Sequence, residues 1–285
     1  MTPLSIVVAT SDGGPGPERC AAALARELCD GDEVVWTGPR DPPGWLRPVR
    51  RAAPQFAPRG HLYGAGLAAS RHDHVAFTDS NTEVGVGWRS GVSSGLDDHV
   101  VVGGPVFPGE QRSLRSWAGF FVEYGPHATR PFRSATGDVS ANNVAYRRGD
   151  LMAALSSDGH VWKSAVNERL RALGIEPGIV DAMAATSAKE YGWRALSLER
   201  VGHGRLFGAQ QAMGATHAHR IMASVRCSVL PFVAYMRLAA RMLQSARLRR
   251  PFVLATPLIC VALVAWSAGE ASGYATGRKG THDVY

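Results

Sequence analysis

Residues 4–37, LSIVVATSDGGPGPERCAAALARELCDGDEVVWT, decide the fold. Leu4 to Thr10 is a continuous apolar and β-branched run, closed by the turn-forming Ser11-Asp12-Gly13-Gly14-Pro15-Gly16. That is the pattern of a strand buried on both faces and followed by a loop. Pro17-Glu18 suits a helix start, and the helix runs from Cys20 through Leu28 to stop at Gly31. Glu33-Val34-Val35-Trp36-Thr37 reads as a second strand, so the stretch is a βαβ unit. Outward from it, residues 38–60 are rich in proline and read as a surface loop. Gly64 to Ser70 reads as a short helix, Val75 to Thr78 as a strand, Gly87 to Leu96 as a helix and Val100 to Val102 as a strand. This alternation predicts an α/β fold with a mostly parallel sheet. Further on, Asp150 to Leu155 starts a helix, and Val161 to Leu173 has helical apolar spacing closed by Gly174.

The chain has 285 residues, 45% apolar and 19% charged, which excludes a disordered, collagen-like or disulfide-scaffold protein. Its net charge of +7 is unevenly placed. Between Arg200 and Gly269 stand nine arginines and no Asp or Glu, and the remainder is near neutral. A nucleic-acid enzyme would set its positive field around a groove. Here the charge borders the most apolar stretch of the chain, which favours a membrane surface over nucleic acid. Cys20, Cys29, Cys227 and Cys260 form no C-x-x-C and are expected to be reduced and buried. No basic and apolar leader precedes the first strand, so the N-terminal domain is expected in the cytosol.

The chemistry-bearing residues come in a particular order. A first strand ends on Ala9-Thr10, and a second ends on Thr37 without a carboxylate. A small-residue helix, His61 to Ser70, leads into Val75-Ala76-Phe77-Thr78-Asp79-Ser80-Asn81. Gly87-Trp88, Val102-Gly103-Gly104 and Ser140-Ala141-Asn142-Asn143-Val144-Ala145-Tyr146-Arg147-Arg148 follow. This order resembles a family-2 glycosyltransferase of the GT-A fold, in which a strand ends in an Asp-x-Asp-like turn. The segment from Trp266 to Gly277 is similar to the tail of membrane-associated members.

The resemblance implies a nucleotide-sugar donor held by Ala9, Thr10, Thr37 and Asp79, with Mg²⁺ or Mn²⁺ on Asp79 and Asn81. A hard cation on oxygen ligands neutralises the departing diphosphate. Asn81 keeps an oxygen where the family carries a second carboxylate, which weakens such a site. A plain strand-end turn would use the same residue types as Asp79-Ser80-Asn81. Asn142, Asn143 and Tyr146 fall in the acceptor-side segment. The acceptor hydroxyl needs a base; Lys163 stands where the family has its acid, leaving Glu168 and Asp138 as candidates. Glu168 reads more readily as a solvated helix charge pairing with Arg169 or Arg171, and Asp138 more readily as a turn residue. Arg200 and Arg205, in a Gly-rich turn, are candidates for the diphosphate. His72-Asp73-His74 has the composition of a metal site, but adjacent residues on an extended segment point to opposite faces, which disfavours ligation.

Pro251 to Gly269 is 19 residues without charge. At 1.5 Å per residue it reaches about 28 Å, barely the hydrocarbon thickness, so it spans a membrane or lies as a buried helix. Arg247, Arg249 and Arg250 precede it and place the catalytic domain in the cytoplasm. Cys227 to Met236 is too short to span and reads as an interfacial helix. The domains expected are 1–215, GT-A-like, and 216–285, a basic membrane-associated helical tail. The expected function is sugar transfer at the cytoplasmic face of the cell membrane, from a nucleotide-sugar to a lipid-linked or envelope glycan acceptor, with anionic lipids as partners. The alternative is a GT-A-like, membrane-tethered binding protein without catalysis.

Overall fold

A computed structural model describes residues 1–10, 16–53, 57–110, 113–128, 139–155 and 159–277. Two compact units share the chain, and both are discontinuous. The first comprises Met1–Gly109 with Arg130–Lys189, and the second Glu110–Thr129 with Glu190–Tyr285. The division therefore does not fall at 215/216: residues 110–129 and 190–215 cluster with the C-terminal helices.

In the first unit the chain forms β1 (Leu4–Ala9), α1 (Gly16–Glu27), β2 (Glu33–Thr37), β3 (Val49–Ala52), α2 (Arg59–Ala69), β4 (His74–Asp79), β5 (Thr82–Val84), α3 (Trp88–Asp98), β6 (Val101–Gly103) and β7 (Val106–Pro108). After α4 (Leu114–Tyr124), which belongs to the other unit, come β8 (Asn143–Arg147), α5 (Arg148–Ala154), α6 (Lys163–Ala172), β9 (Gly178–Ile179) and β10 (Ala185–Ser187). Seven strands make one sheet in the order β3-β2-β1-β4-β8-β6-β9, and a small second sheet runs β5-β10-β7. The α/β class and parallel pairing of β1 with β2 and β4 agree with the sequence pattern.

Every residue of β1 and β2 is buried, because the period-two alternation feeds two cores. Leu4, Ile6 and Val8 join Leu24, Trp88 and Leu96 on the face of α1 and α3. Val7 and Ala9 join Leu62, Leu67, Leu151 and Val166 on the face of α2, α5 and α6. Two polar links lock α3 in place. The Glu27 carboxylate accepts from the backbone N–H groups of Gly87 and Arg89 at the start of α3, each at 3.1 Å, and so satisfies helix-end donors. Arg89 grips buried Asp32 with two 2.8 Å bonds. Hydrogen bonds from Arg89, Cys29 and Leu4 outweigh the desolvation that alone would raise it, and hold the Asp32 carboxyl below its ordinary range.

Two features of this unit differ from the sequence reading. The proline-rich stretch contains an edge strand, β3, paired parallel to β2. The helix read from Gly64 begins five residues earlier, at Arg59, behind Pro58.

The second unit consists of α4, α7 (Trp193–Leu196), α8 (Leu198–Gln211), α9 (His217–Arg226), α10 (Leu230–Met242) and α11 (Ala246–Thr276). The 31-residue α11 continues through Pro251 and Pro257. It is the one described helix long and apolar enough to cross a membrane. Its N-terminal half meets aromatic residues: Phe252 lies edge-on to Phe121 at 5.3 Å and stacks on Tyr235 at 5.7 Å. Its C-terminal half lies backbone to backbone against α8. A Cβ on Gly204 or Gly208 would come within 2.2 Å of carbonyl oxygens of Trp266 or Glu270, and one on Gly269 or Gly273 within 2.3 Å of those of Val201 or Arg205. Two Gly-x-x-x-Gly faces thus bring the helix axes together, a device of close helix pairs in lipid and protein alike. Cys20 and Cys227 are buried as expected, Cys29 is partly buried and Cys260 is exposed on α11.

Candidate functional site

The chain moves outward from β1 to β2 and β3, then crosses back to lay β4 on the other side of β1. Connections therefore leave the carboxyl ends of β1 and β4 in opposite directions and open a crevice, the usual ligand place of an open α/β sheet. Ala9, Thr10, Thr37, Asp79, Ser80 and Asn81 stand at this edge. The Thr10 N–H donates to the Thr37 carbonyl at 2.8 Å, and the Ser80 N–H to that of Ala9 at 3.0 Å.

β8 brings a late stretch of chain to the same edge. It runs antiparallel to β4, with Asn143 opposite Thr78, so its start meets the end of β4. The amide of Asn142 donates to Asp79 Oδ2, while its own oxygen accepts from the Arg59 guanidinium at 3.0 Å. Arg59 also lies 3.5 Å from Asp79 Oδ2. The other carboxylate oxygen accepts from the Thr82 hydroxyl at 2.8 Å and the Asn81 N–H at 3.0 Å. Asp79 is only 2% exposed, so its charge is carried by this ring of donors. Below it, Cys20 Sγ contacts the Asp79 carbonyl at 3.5 Å. Burial, reinforced by the charges of Asp79 and Glu83, pushes that thiol far up and keeps it neutral.

The expected site residues thus separate into groups. Asp79, Asn81 and Asn142 come together at the crevice. Thr10 and Thr37 stand there too, but their hydroxyls serve the strands, donating to the carbonyls of Thr37 and Val8 at 2.8 and 3.2 Å. Asn143 is turned to the other side of β8. It accepts from Trp88 Nε1 at 2.8 Å and donates to the carbonyls of Met183 and Pro105, which makes it a buried brace.

Tyr146 does not present its ring to an acceptor. It is buried against Phe77, and its hydroxyl donates to Asn167 at 3.0 Å. Glu168 is exposed on α6, and Asp138 lies outside the described residues. Lys163, at the start of α6, donates to the Val139 carbonyl at 2.8 Å. The Gly-rich turn expected around Arg200 and Arg205 is instead helix α8 of the second unit, where the glycines serve helix contact and Arg200 is paired with Glu123 at 3.2 Å. Arg59 was hidden by the proline-rich composition before it. Pro58 directly ahead of a periodic apolar run is the helix-start signal that marks it.

Among the described residues no group of three or more His, Cys, Asp and Glu side chains gathers as a metal cage. Among the described residues the crevice presents a divalent ion with oxygens of Asp79 and Asn81, and both Asp79 oxygens already accept hydrogen bonds from the protein. One carboxylate and one amide suit a hard cation that takes its remaining ligands from water and a bound diphosphate.

No family model matches the chain, and no curated protein matches it by sequence. Solved structures do match by shape. The mannosyltransferase PcManGT from Pyrobaculum calidifontis, in complex with GDP-Man and Mn²⁺, is 12% identical; the match covers 91% of this chain and 86% of that one with a TM-score of 0.51. S. aureus TarS 1-349 in complex with UDP-GlcNAc is 16% identical over 96% of this chain and 90% of that one, with a TM-score of 0.50. At such identities the likeness concerns the fold. The chain shares its fold with these structures and has the GT-A fold, as the order of its motifs implied.

Proposed function

We propose that this chain is a nucleotide-sugar-dependent glycosyltransferase working at the cytoplasmic face of the cell membrane. The observation that carries the reading is the Asp79 carboxylate at the switch-point crevice, held by Asn142 and Arg59 from two other elements. A strand-end turn with no further role needs neither a buried charge nor two long-range partners, since burial of an ion costs free energy until it is paired.

In this reading the donor lies over the ends of β1, β2 and β4. Asp79 and Arg59 face its polar groups, with Arg59 opposite the diphosphate. The acceptor enters from the side of Asn142. Its hydroxyl oxygen bonds to the anomeric carbon as the bond from that carbon to the diphosphate oxygen breaks. The hydroxyl proton passes to a carboxylate, Glu168 or Asp138, and the nucleoside diphosphate leaves with the bonding pair. Asp79 and Asn81 would hold a Mg²⁺ or Mn²⁺ ion, whose chemistry is to neutralise the leaving diphosphate. The acceptor class that suits a membrane-bound enzyme is a lipid-linked or envelope glycan.

Purified full-length protein incubated with a panel of nucleotide-sugars, with and without Mn²⁺, tests this directly. Release of nucleoside diphosphate coupled to a glycosylated lipid acceptor is expected with at least one donor. Failure of every donor to bind would sink the reading. A second reading, a GT-A-like protein that binds a nucleotide-sugar without transferring it, is favoured by Lys163 where a base is expected. Donor binding without turnover selects it.

A further inference from the structure

The second unit determines how its long apolar helix can meet a membrane. α11 does not stand alone. The bent pair α9–α10, whose axes differ by 53°, runs antiparallel to it over most of its length. Arg220 donates to the carbonyls of Tyr274 and Ala275 at 2.8 and 2.9 Å, and Ser224 to that of Ala271 at 3.2 Å. At the other end Tyr235 meets Thr256 at 3.3 Å and stacks on Phe252. α11 therefore cannot cross a bilayer unless α9–α10 crosses with it as a hairpin.

Both ends of that hairpin are cationic. Arg237, Arg241, Arg247, Arg249 and Arg250 cluster around its tip, and Arg220 and Arg226 lie toward its base. A crossing hairpin would carry the tip arginines through the hydrocarbon to the far side, against the bias that retains Lys and Arg on the cytoplasmic side. The helices that cover α11 are unsuited to hydrocarbon as well. α8 carries Glu199, Arg200, His203 and Arg205 and contacts α11 along its last turns, while Arg241 ties the tip to the Pro126 carbonyl after α4 at 3.1 Å. Buried ions at bilayer depth are costly.

Yet the hairpin leaves a broad apolar face open. Ile221, Met222, Val225, Phe232 and Met236 are exposed on α9–α10, and Val253, Leu254, Val261 and Val264 on α11. Exposed apolar side chains on all three helices, with arginines at both ends of the hairpin and Glu270 near Arg226 as its one acid, match the acyl and headgroup layers of one anionic leaflet.

We infer that the α9–α10–α11 hairpin lies in the cytoplasmic leaflet of an anionic bilayer and does not cross it. The inference rests on the membrane attachment in the proposed function and replaces a single span from Pro251 by a monotopic anchor.

The test uses full-length protein with Cys29→Ser and Cys260→Ser to silence the two thiols that are not buried, and one new cysteine either at the tip, Gln244→Cys, or at the base, His217→Cys; both positions are exposed. Membrane vesicles of known sidedness are treated with a membrane-impermeant maleimide. Both cysteines are expected to label in inside-out vesicles, with at least a tenfold lower yield in right-side-out vesicles. Labelling of tip and base from opposite faces would overturn the inference. A separate arm mixes purified protein with sucrose-loaded vesicles of phosphatidylcholine containing phosphatidylglycerol. Cosedimentation that drops several-fold when Arg247, Arg249 and Arg250 are changed to Gln is expected, and its persistence unchanged would overturn the role given to the arginines. Protein that sediments with no vesicle at all refutes attachment itself, while nucleotide-sugar binding by that same protein would leave the donor site standing.

Discussion

Asp79→Asn is the most informative single change, because it alters charge and one donor-acceptor identity while keeping shape. One carboxylate oxygen accepts from the Asn81 N–H and the Thr82 hydroxyl; the other accepts from the Asn142 amide and is approached by the Arg59 guanidinium at 3.5 Å. An amide must turn its NH₂ toward one pair, and there a donor meets donors. The Thr82 hydroxyl can rotate to accept, so the NH₂ is expected on that side, leaving the Asn81 N–H without its partner. One orphaned buried donor costs about 1–3 kcal/mol, and the contact to Arg59 loses its opposite charge, a smaller loss because the guanidinium is partly exposed. The variant should therefore fold, with stability lowered by about 2–3 kcal/mol. If Asp79 also meets the donor, a lost charge-assisted bond of about 1.5–3 kcal/mol weakens binding roughly 10- to 100-fold. Calorimetric titration with the nucleotide-sugar selected by the panel reads the second effect, and urea unfolding the first. Reduced stability with donor affinity unchanged within twofold would show Asp79 to be a buried turn residue only.

Three further outcomes follow from neighbouring features. A divalent ion should bind with the nucleotide rather than before it, since among the described residues no group of three or more His, Cys, Asp and Glu side chains gathers to hold it; Mn²⁺ titration should give no saturable heat alone and a clear isotherm with UDP or GDP present. Arg89→Met leaves the buried Asp32 carboxylate without its cation and should cost about 3–5 kcal/mol in urea unfolding at neutral pH. Because Asp32 is held below its ordinary range, its contribution is complete above the usual carboxylate pKa of about 4 and is lost as pH falls through the lowered value. The gap between wild type and variant should accordingly shrink on acidification toward pH 2, and a gap independent of pH would contradict the assignment. Asn143→Leu removes the partner of Trp88 Nε1 and two backbone carbonyls and should destabilise the first unit by about 2–4 kcal/mol; a variant as stable as wild type would show that Asn143 is not a brace.

What the sequence disclosed, and what it hid, has a physical basis. β1, α1, β2 and β4 were legible because strands buried on both faces are mostly apolar, and the run Val75 to Thr78 puts Asp79 at a strand end. Asn142 was legible only through resemblance. Its pairing with Asp79 depends on β8 returning antiparallel from a segment beyond α4, and local periodicity carries no such information. Tyr146 was misread because strand alternation sends it to the core one face away from the crevice. β3 was hidden by prolines, which an edge strand tolerates beside it. The α8 glycines looked like a phosphate loop because glycine serves close approach of any kind; here the partner is another backbone. The tail read as separable is instead the centre of a helical unit, since an apolar helix records that it is buried but not by what.

The interleaving of the two units bears on how the protein is made. The strand that delivers Asn142, and β10, which joins β5 to β7, are synthesised only after the chain has laid down α4 of the other unit. A nascent chain of residues 1–109 thus holds β1, β2 and β4 with one side of β4 unpaired, and an apolar strand edge of that kind invites association. The sheet closes only when about 80 more residues have left the ribosome, several seconds at usual rates. α4 meanwhile waits for α11, the last of the described helices. Production should therefore be limited by how well nascent chains are shielded during that interval, and slow synthesis or added chaperone should raise the yield of soluble, donor-binding protein more than any single stabilising substitution in the finished fold.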